Sequence, residues 1–127
     1  MQDKFLYEYA VVRVVPKIER EEFINVGLIL FCKRKRYLRF AFQLPEAKIR
    51  LFCQEFDLEQ VKENLQSFAR ICAGDKTAGP IAQLEVDEKF RWITAVKSSS
   101  IQSSRPHPGF SSDLDRTFEK LYAELVE

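Results

Sequence analysis

The stretch Arg20-Glu21-Glu22-Phe23-Ile24-Asn25-Val26-Gly27-Leu28-Ile29-Leu30-Phe31-Cys32 constrains this chain more than any other. It has the branched and aromatic content of a strand, and side chains along a strand alternate between two faces. Read without interruption, one face carries Ile24, Val26, Leu28, Leu30 and Cys32 and is wholly apolar. The other carries Phe23, Asn25, Gly27, Ile29 and Phe31, so a polar side chain is followed by none at all. One face builds core, and the other has a dent floored by backbone. Glycine inside a strand often marks a bulge or the close approach of another group. A core strand with that flaw at its centre makes its surroundings the first place to look for a site.

The neighbouring segments give it partners. Phe5 to Val15 is apolar on both faces, as in a central strand covered on each side, and Pro16 ends it. The basic turn Lys33-Arg34-Lys35-Arg36 leads into a third strand, Tyr37 to Leu44. There Leu38, Phe40, Phe42 and Leu44 face one way, and Tyr37, Arg39, Ala41 and Gln43 the other. The result is an antiparallel three-stranded meander with a greasy face and a mixed face. Helices follow to cover the greasy face. Pro45 to Cys53 reads as a short one. A second starts after Asp57, a good cap with Gln60 three residues on, and presents Leu58, Val61, Leu65, Phe68, Ala69 and Cys72 until Gly74 stops it.

Beyond the loop from Gly74 to Pro80, Ile81 to Val86 reads as a further strand or an irregular lead-in. Asp87 to Ala95 reads as a short helix, although Trp92, Ile93, Thr94 and Val96 also suit a strand. Ser98 to Arg105 is polar and extended, and Pro106-His107-Pro108-Gly109 is a rigid turn. Ser112 opens a last helix with the stripe Leu114, Phe118, Leu121, Tyr122 and Leu125. The fold class is α+β: an antiparallel sheet led by the meander, with helices mainly on one face.

Composition narrows the function classes. The 127 residues suit one domain spanning 1–127, and 46% hydrophobic residues with 11 phenylalanines supply its core. A net charge of +1 gives no bulk attraction to nucleic acid or membrane. No apolar run reaches the ~18 residues of a spanning helix, and Met1-Gln2-Asp3-Lys4 does not begin a signal peptide. Cys32, Cys53 and Cys72 are odd in number and sit at apolar positions, which suits buried thiols in a reducing cytoplasm. With no CxxC and a single histidine, His107, neither a metal site nor a cofactor is expected.

Two blocks resemble a known bacterial family. Tyr7-Glu8-Tyr9-Ala10-Val11-Val12-Arg13-Val14-Val15-Pro16, followed by Arg20 to Gly27, is similar to the paired "YxYAVxRxVP" and "ExxNVG" strands of DUF3037. Phe90-Arg91-Trp92-Ile93-Thr94-Ala95, then Ser98, Ile101-Gln102 and His107-Pro108-Gly109, resembles that family's C-terminal block. Where the family has Pro-Arg-Ser, this chain has Val96-Lys97-Ser98, and an ammonium lacks the bidentate geometry of a guanidinium. The resemblance implies a protein of uncharacterised function. Members often lie beside a gene for a HipA-like kinase, which implies a partner or regulatory role in a toxin–antitoxin-like setting.

The candidate site residues are Arg13, Glu22, Asn25, Gly27, Lys97, Ser98, Gln102 and His107. A half-buried Arg13 needs a partner. It either bridges to Glu22 or Asn25 and fixes strand register, or with Asn25 holds an anionic or amide group over Gly27. His107, between prolines, is more ordinary as a structural residue than as an acid or base. No GxxxxGK[ST], GxSxG or HExxH motif occurs, and a non-enzymatic role is favoured. The first reading is a protein-interaction module using the mixed sheet face and the loop from Lys97 to His107. The second is a phosphate- or nucleotide-ligand-binding domain or enzyme using Arg13, Asn25, Lys97 and His107. The third is nucleic-acid binding through Lys33, Arg34, Lys35 and Arg36, although a charged hairpin tip is more often a solvated turn.

Overall fold

Five strands form one antiparallel sheet: β1 (Phe5–Val14), β2 (Ile24–Cys32), β3 (Tyr37–Phe42), β4 (Ile101–Ser103) and β5 (His107–Ser111). The computed structural model describes residues 3–16, 22–95 and 100–127. The order is β3-β2-β1-β4, with β5 also paired to β1. Thus β1 uses both edges: β2 lies along one, and β5 then β4 share the other. Between those two short strands, Ser104 keeps the ladder whole. Its N–H donates to the Val11 carbonyl at 2.8 Å, and its Oγ accepts from the Val11 N–H at 2.9 Å. A buried backbone donor at a central strand must be met, and here a side chain meets it.

The meander forms as its patterning predicts, and the helices sort to two sides. On one face α1 (Glu46–Phe52), α2 (Leu58–Cys72) and α3 (Val86–Ala95) pack over the larger core. Asp57 caps α2 by accepting from the Gln60 N–H at 3.1 Å, whereas the Gln60 side chain turns to Asn64 instead of closing a capping box. Its buried stripe is Leu58, Val61, Leu65, Phe68 and Ile71, each stabilising by about 1.5–3 kcal/mol. Gly74 sits at φ +75°, the left-handed position that ends a helix. The segment from Ile81 to Val86 runs from the 3₁₀ turn Pro80–Gln83 into the start of α3 rather than forming a strand. The amine of Lys89, buried under α2, donates to the carbonyls of Ile71 and Ala82 at 3.3 Å each.

The other face takes α4 (Leu114–Leu125), capped by Asp113 and not by Ser112. Leu28, Leu30, Phe118 and Val126 form its buried centre, with Tyr7, Tyr9, Tyr37 and Ala41 around them. Pro106 to Gly109 also departs from expectation. His107, Pro108 and Gly109 lie in β5 opposite Tyr9, Glu8 and Tyr7. Prolines are compatible with an edge strand where the missing N–H would point outward.

The main correction concerns β2. Val12 pairs with Gly27 but Arg13 pairs with Asn25, so Val26 is an extra residue in a β-bulge. The two faces therefore exchange midway. Ile24 and Val26 join Ile29 and Phe31 in the larger core, while Leu28 and Leu30 face α4. Gly27 and Asn25 end up on opposite sides of the sheet, and no dent joins them. A Cβ on Gly27 would lie 3.1 Å from the Ala41 carbonyl oxygen, 3.1 Å from Phe40 and 3.2 Å from Phe42. Glycine is there to admit two phenylalanines. Gly27→Ala should lower the unfolding free energy by about 1–3 kcal/mol through overpacking. An unchanged urea midpoint would mean that Phe40 and Phe42 yield freely.

Candidate functional site

The bulge creates a corner where the end of β1, the start of β2 and the last turn of α4 meet. Arg13 and Asn25 are cross-strand partners there, with Gln102 of β4 on the other flank of Arg13. The Arg13 guanidinium lies 4.1 Å from the centroid of the Phe23 ring, which is half exposed. Burial pushes its pKa down. The Asn25 amide donates to the Leu125 carbonyl at 3.1 Å, and Gln43 donates to that of Val126 at 3.4 Å, fixing the C-terminal turn of α4. Among the described residues, Arg13 Nε and Asn25 Oδ1 are buried without hydrogen-bond partners. One is a donor and the other an acceptor, and both belong to one register pair. A cleft of about 280 Å³ opens at Asn25, lined also by Phe23, Lys48 and the last three residues, Leu125 to Glu127, and Arg13 does not line it. Glu22 precedes Phe23 and has an interaction of its own.

The remaining candidates do not converge on that corner. His107 pairs with Tyr9 and stacks on it at 5.3 Å, roughly 13 Å along β1 from Arg13 at the ~3.3 Å rise of a strand. Gly27 faces the opposite core. Lys97 and Ser98 lie outside the described residues. The mixed sheet face, offered by the sequence as a docking surface, is covered by α4. Its apolar stripe buries the aliphatic part of that face, and polar side chains hold the helix in place. Tyr37 donates to Asp115 at 2.6 Å. Arg39 reaches Asp115 at 3.3 Å and lies 4.3 Å over the Phe118 ring.

The basic turn is spread apart. Lys33 reaches Asp87 of α3 at 3.8 Å on one side of the sheet. On the other, Arg34 and Lys35 lie over the Phe5 ring at 5.2 and 4.5 Å. Arg36 takes a left-handed conformation at φ +50°, as the fourth residue of a tight turn closed by its N–H on the Lys33 carbonyl at 3.1 Å. Between this turn and the start of α4 lies a cleft of about 720 Å³, where Lys35, Arg116 and Lys120 alternate with Asp113 and Asp115. Both acids are committed, Asp113 to capping α4 and Asp115 to Tyr37 and Arg39.

Among the described residues, one open pair of large apolar side chains is not singled out by the strand pattern. Leu6 and Phe110 face each other across β1 and β5, and they are 55% and 67% exposed. They lie on the α3 side of the sheet and stay open beside it. Next to them Arg91 of α3 pairs with Glu8 at 3.0 Å and lies 5.7 Å over the Phe31 ring. Pro108, opposite Glu8, extends the same face. The available signal was Phe110 itself, a large apolar residue after Pro-Gly that no helical stripe claimed.

The chain belongs to the DUF3037 family, described as "Protein of unknown function (DUF3037)", whose model matches residues 9–126. No curated protein and no solved structure matches it. Among the described residues, no helix is long and apolar enough to cross a membrane.

The clamp on α4 has a pH signature. Burial, and then the hydrogen bond to Asp115, push the Tyr37 phenol from 10.0 up to about 12, against the opposing effect of Arg39. The folded protein thus holds this proton more tightly than the unfolded chain does. The stabilisation is complete below the ordinary phenol pKa and is lost as pH rises from 10 toward about 12. Tyr7 and Tyr122 are also raised, chiefly by burial. The readout is therefore the difference in urea stability between wild type and Tyr37→Phe, which should shrink across that window. A difference independent of pH would remove Tyr37 from the clamp.

Proposed function

We propose that this protein is a small cytoplasmic interaction module that docks a protein partner through the open β1–β5 end of its sheet. The HipA-like kinase implied by the family resemblance is the partner proposed. The observation behind this reading is the Leu6–Phe110 pair, two large apolar side chains directly opposite one another and more than half exposed. Contiguous apolar surface on a rigid sheet, rimmed by the Glu8–Arg91 ion pair, has the make-up of a binding patch with a polar rim. Aromatic residues at the centre of such patches commonly carry 2 kcal/mol or more of binding energy, about thirtyfold in Kd. Phe110→Asp should therefore weaken kinase binding in calorimetric titration by about thirtyfold or more, with an unchanged circular dichroism spectrum because the site is on the surface. Equal affinity for wild type and Phe110→Asp would sink the assignment of this face.

A second reading, a small-ligand site, draws support from the unpartnered Arg13 Nε and Asn25 Oδ1. One needs an acceptor and the other a donor. A sulfate offers acceptors alone and leaves Asn25 unmatched, whereas an amide edge answers both. The ligand class proposed is accordingly a carboxamide or peptide group. Glutamine added to labelled protein should shift the Asn25 side-chain amide resonances where sulfate does not. A response to sulfate alone would reverse the ligand class, and silence to both would remove the reading.

A further inference from the structure

We infer that the free edge of β3 pairs with the β3 of a second copy, making one continuous antiparallel sheet across a two-fold axis centred on Phe40. The argument starts from which backbone groups point outward. Gln43 N–H donates to the Val26 carbonyl at 2.8 Å, and Gln43 stands opposite Val26 in the register. In an antiparallel ladder, residues that exchange hydrogen bonds alternate with residues that do not. Tyr37, Arg39 and Ala41 therefore turn their N–H and C=O groups to β2, and Leu38, Phe40 and Phe42 turn theirs away. All six residues of β3 are only partly buried.

The two sheet edges are treated differently. On the far edge, Val11 bonds to Ser104, so the odd residues of β1 face β4 and β5. His107, Gly109 and Ser111 face back toward them. Pro108 then occupies an outward position without an N–H, which blunts that edge against another strand. No proline lies in β3. Its one charged residue, Arg39, is drawn onto α4 by Asp115 and the Phe118 ring and does not guard the edge. Nor does α1 cover it. Lys48 lines the cleft with Phe23, Asn25 and Leu125, so α1 runs back toward the start of β2.

Charge selects the occupant and its register. Centred on Phe40, self-pairing sets Leu38 opposite Phe42 and Arg39 opposite Ala41. One side of the junction is then apolar, and like charges do not meet. The same register brings the exposed basic turn, at Arg34 and Lys35, alongside the partner copy's Glu46, exposed in the first turn of α1. Both contacts occur twice by symmetry. A shift to a centre at Arg39 would put the two Arg39 residues directly opposite each other.

Sedimentation equilibrium should give a concentration-dependent species of twice the 14.9 kDa chain mass. Hydrogen exchange should show the amides of Leu38, Phe40 and Phe42 becoming protected as it forms, while Arg39 and Ala41 are protected throughout. Arg34→Glu should weaken the dimer about tenfold, as two attractive surface pairs turn repulsive, and Arg34→Glu with Glu46→Arg should restore it. These surface exchanges leave the core untouched. A monomer at all concentrations overturns the inference. So does a dimer in which those three amides stay open, or protection that needs a different protein. A dimer indifferent to both charge exchanges overturns the register.

Discussion

The fold depends on the two-sided hydrogen bonding of β1. A strand paired on both edges has no edge left at which a polar backbone group meets water. Each of its partners is therefore fixed in register, and a slip by one residue would move every side chain to the wrong core. Ser104 is part of that requirement. Where the outer strand breaks between β4 and β5, its hydroxyl and its N–H stand in for the missing ladder at Val11. The bulge at Val26 is where the β1–β2 register gives way, and it does so next to Arg13 and Asn25.

Much of this was legible in the sequence because period-two and period-3.6 patterns are local. The meander, the stripe of α2, the stripe of α4 and the α+β class follow from alternation and from caps such as Asp57. The bulge was not legible as such. Ile24 to Cys32 alternates well enough to suggest one unbroken strand, and only pairing with β1 reveals the extra residue. The Pro106–Gly109 segment misled for a related reason. Two prolines suggest a turn until the register places Pro108 within β5, on the unused edge.

The candidate residues divided along the same line. Arg13, Asn25 and Gln102 come together because they share one row across three strands. His107 stays on the same face but several residues along it, and Gly27 is sent to the opposite face by the bulge. Leu6 and Phe110 escaped notice because exposure is a property of what covers a residue, and the length of α3 relative to the sheet cannot be read from either residue.

The order in which the chain builds its sheet carries a further consequence. β1 meets β2, and β2 meets β3, within the first third of the sequence, but the other edge of β1 is closed only by residues 100–111, and its second face only by α4. During synthesis the meander must therefore wait with β1 half dressed, one edge bare and one greasy side uncovered. Such long-range closure slows folding and leaves sticky intermediates in solution. Chains interrupted after α3 would keep most of their helices and still lack the pieces that make β1 an interior strand. They should cling to one another rather than behave as shorter versions of the same fold.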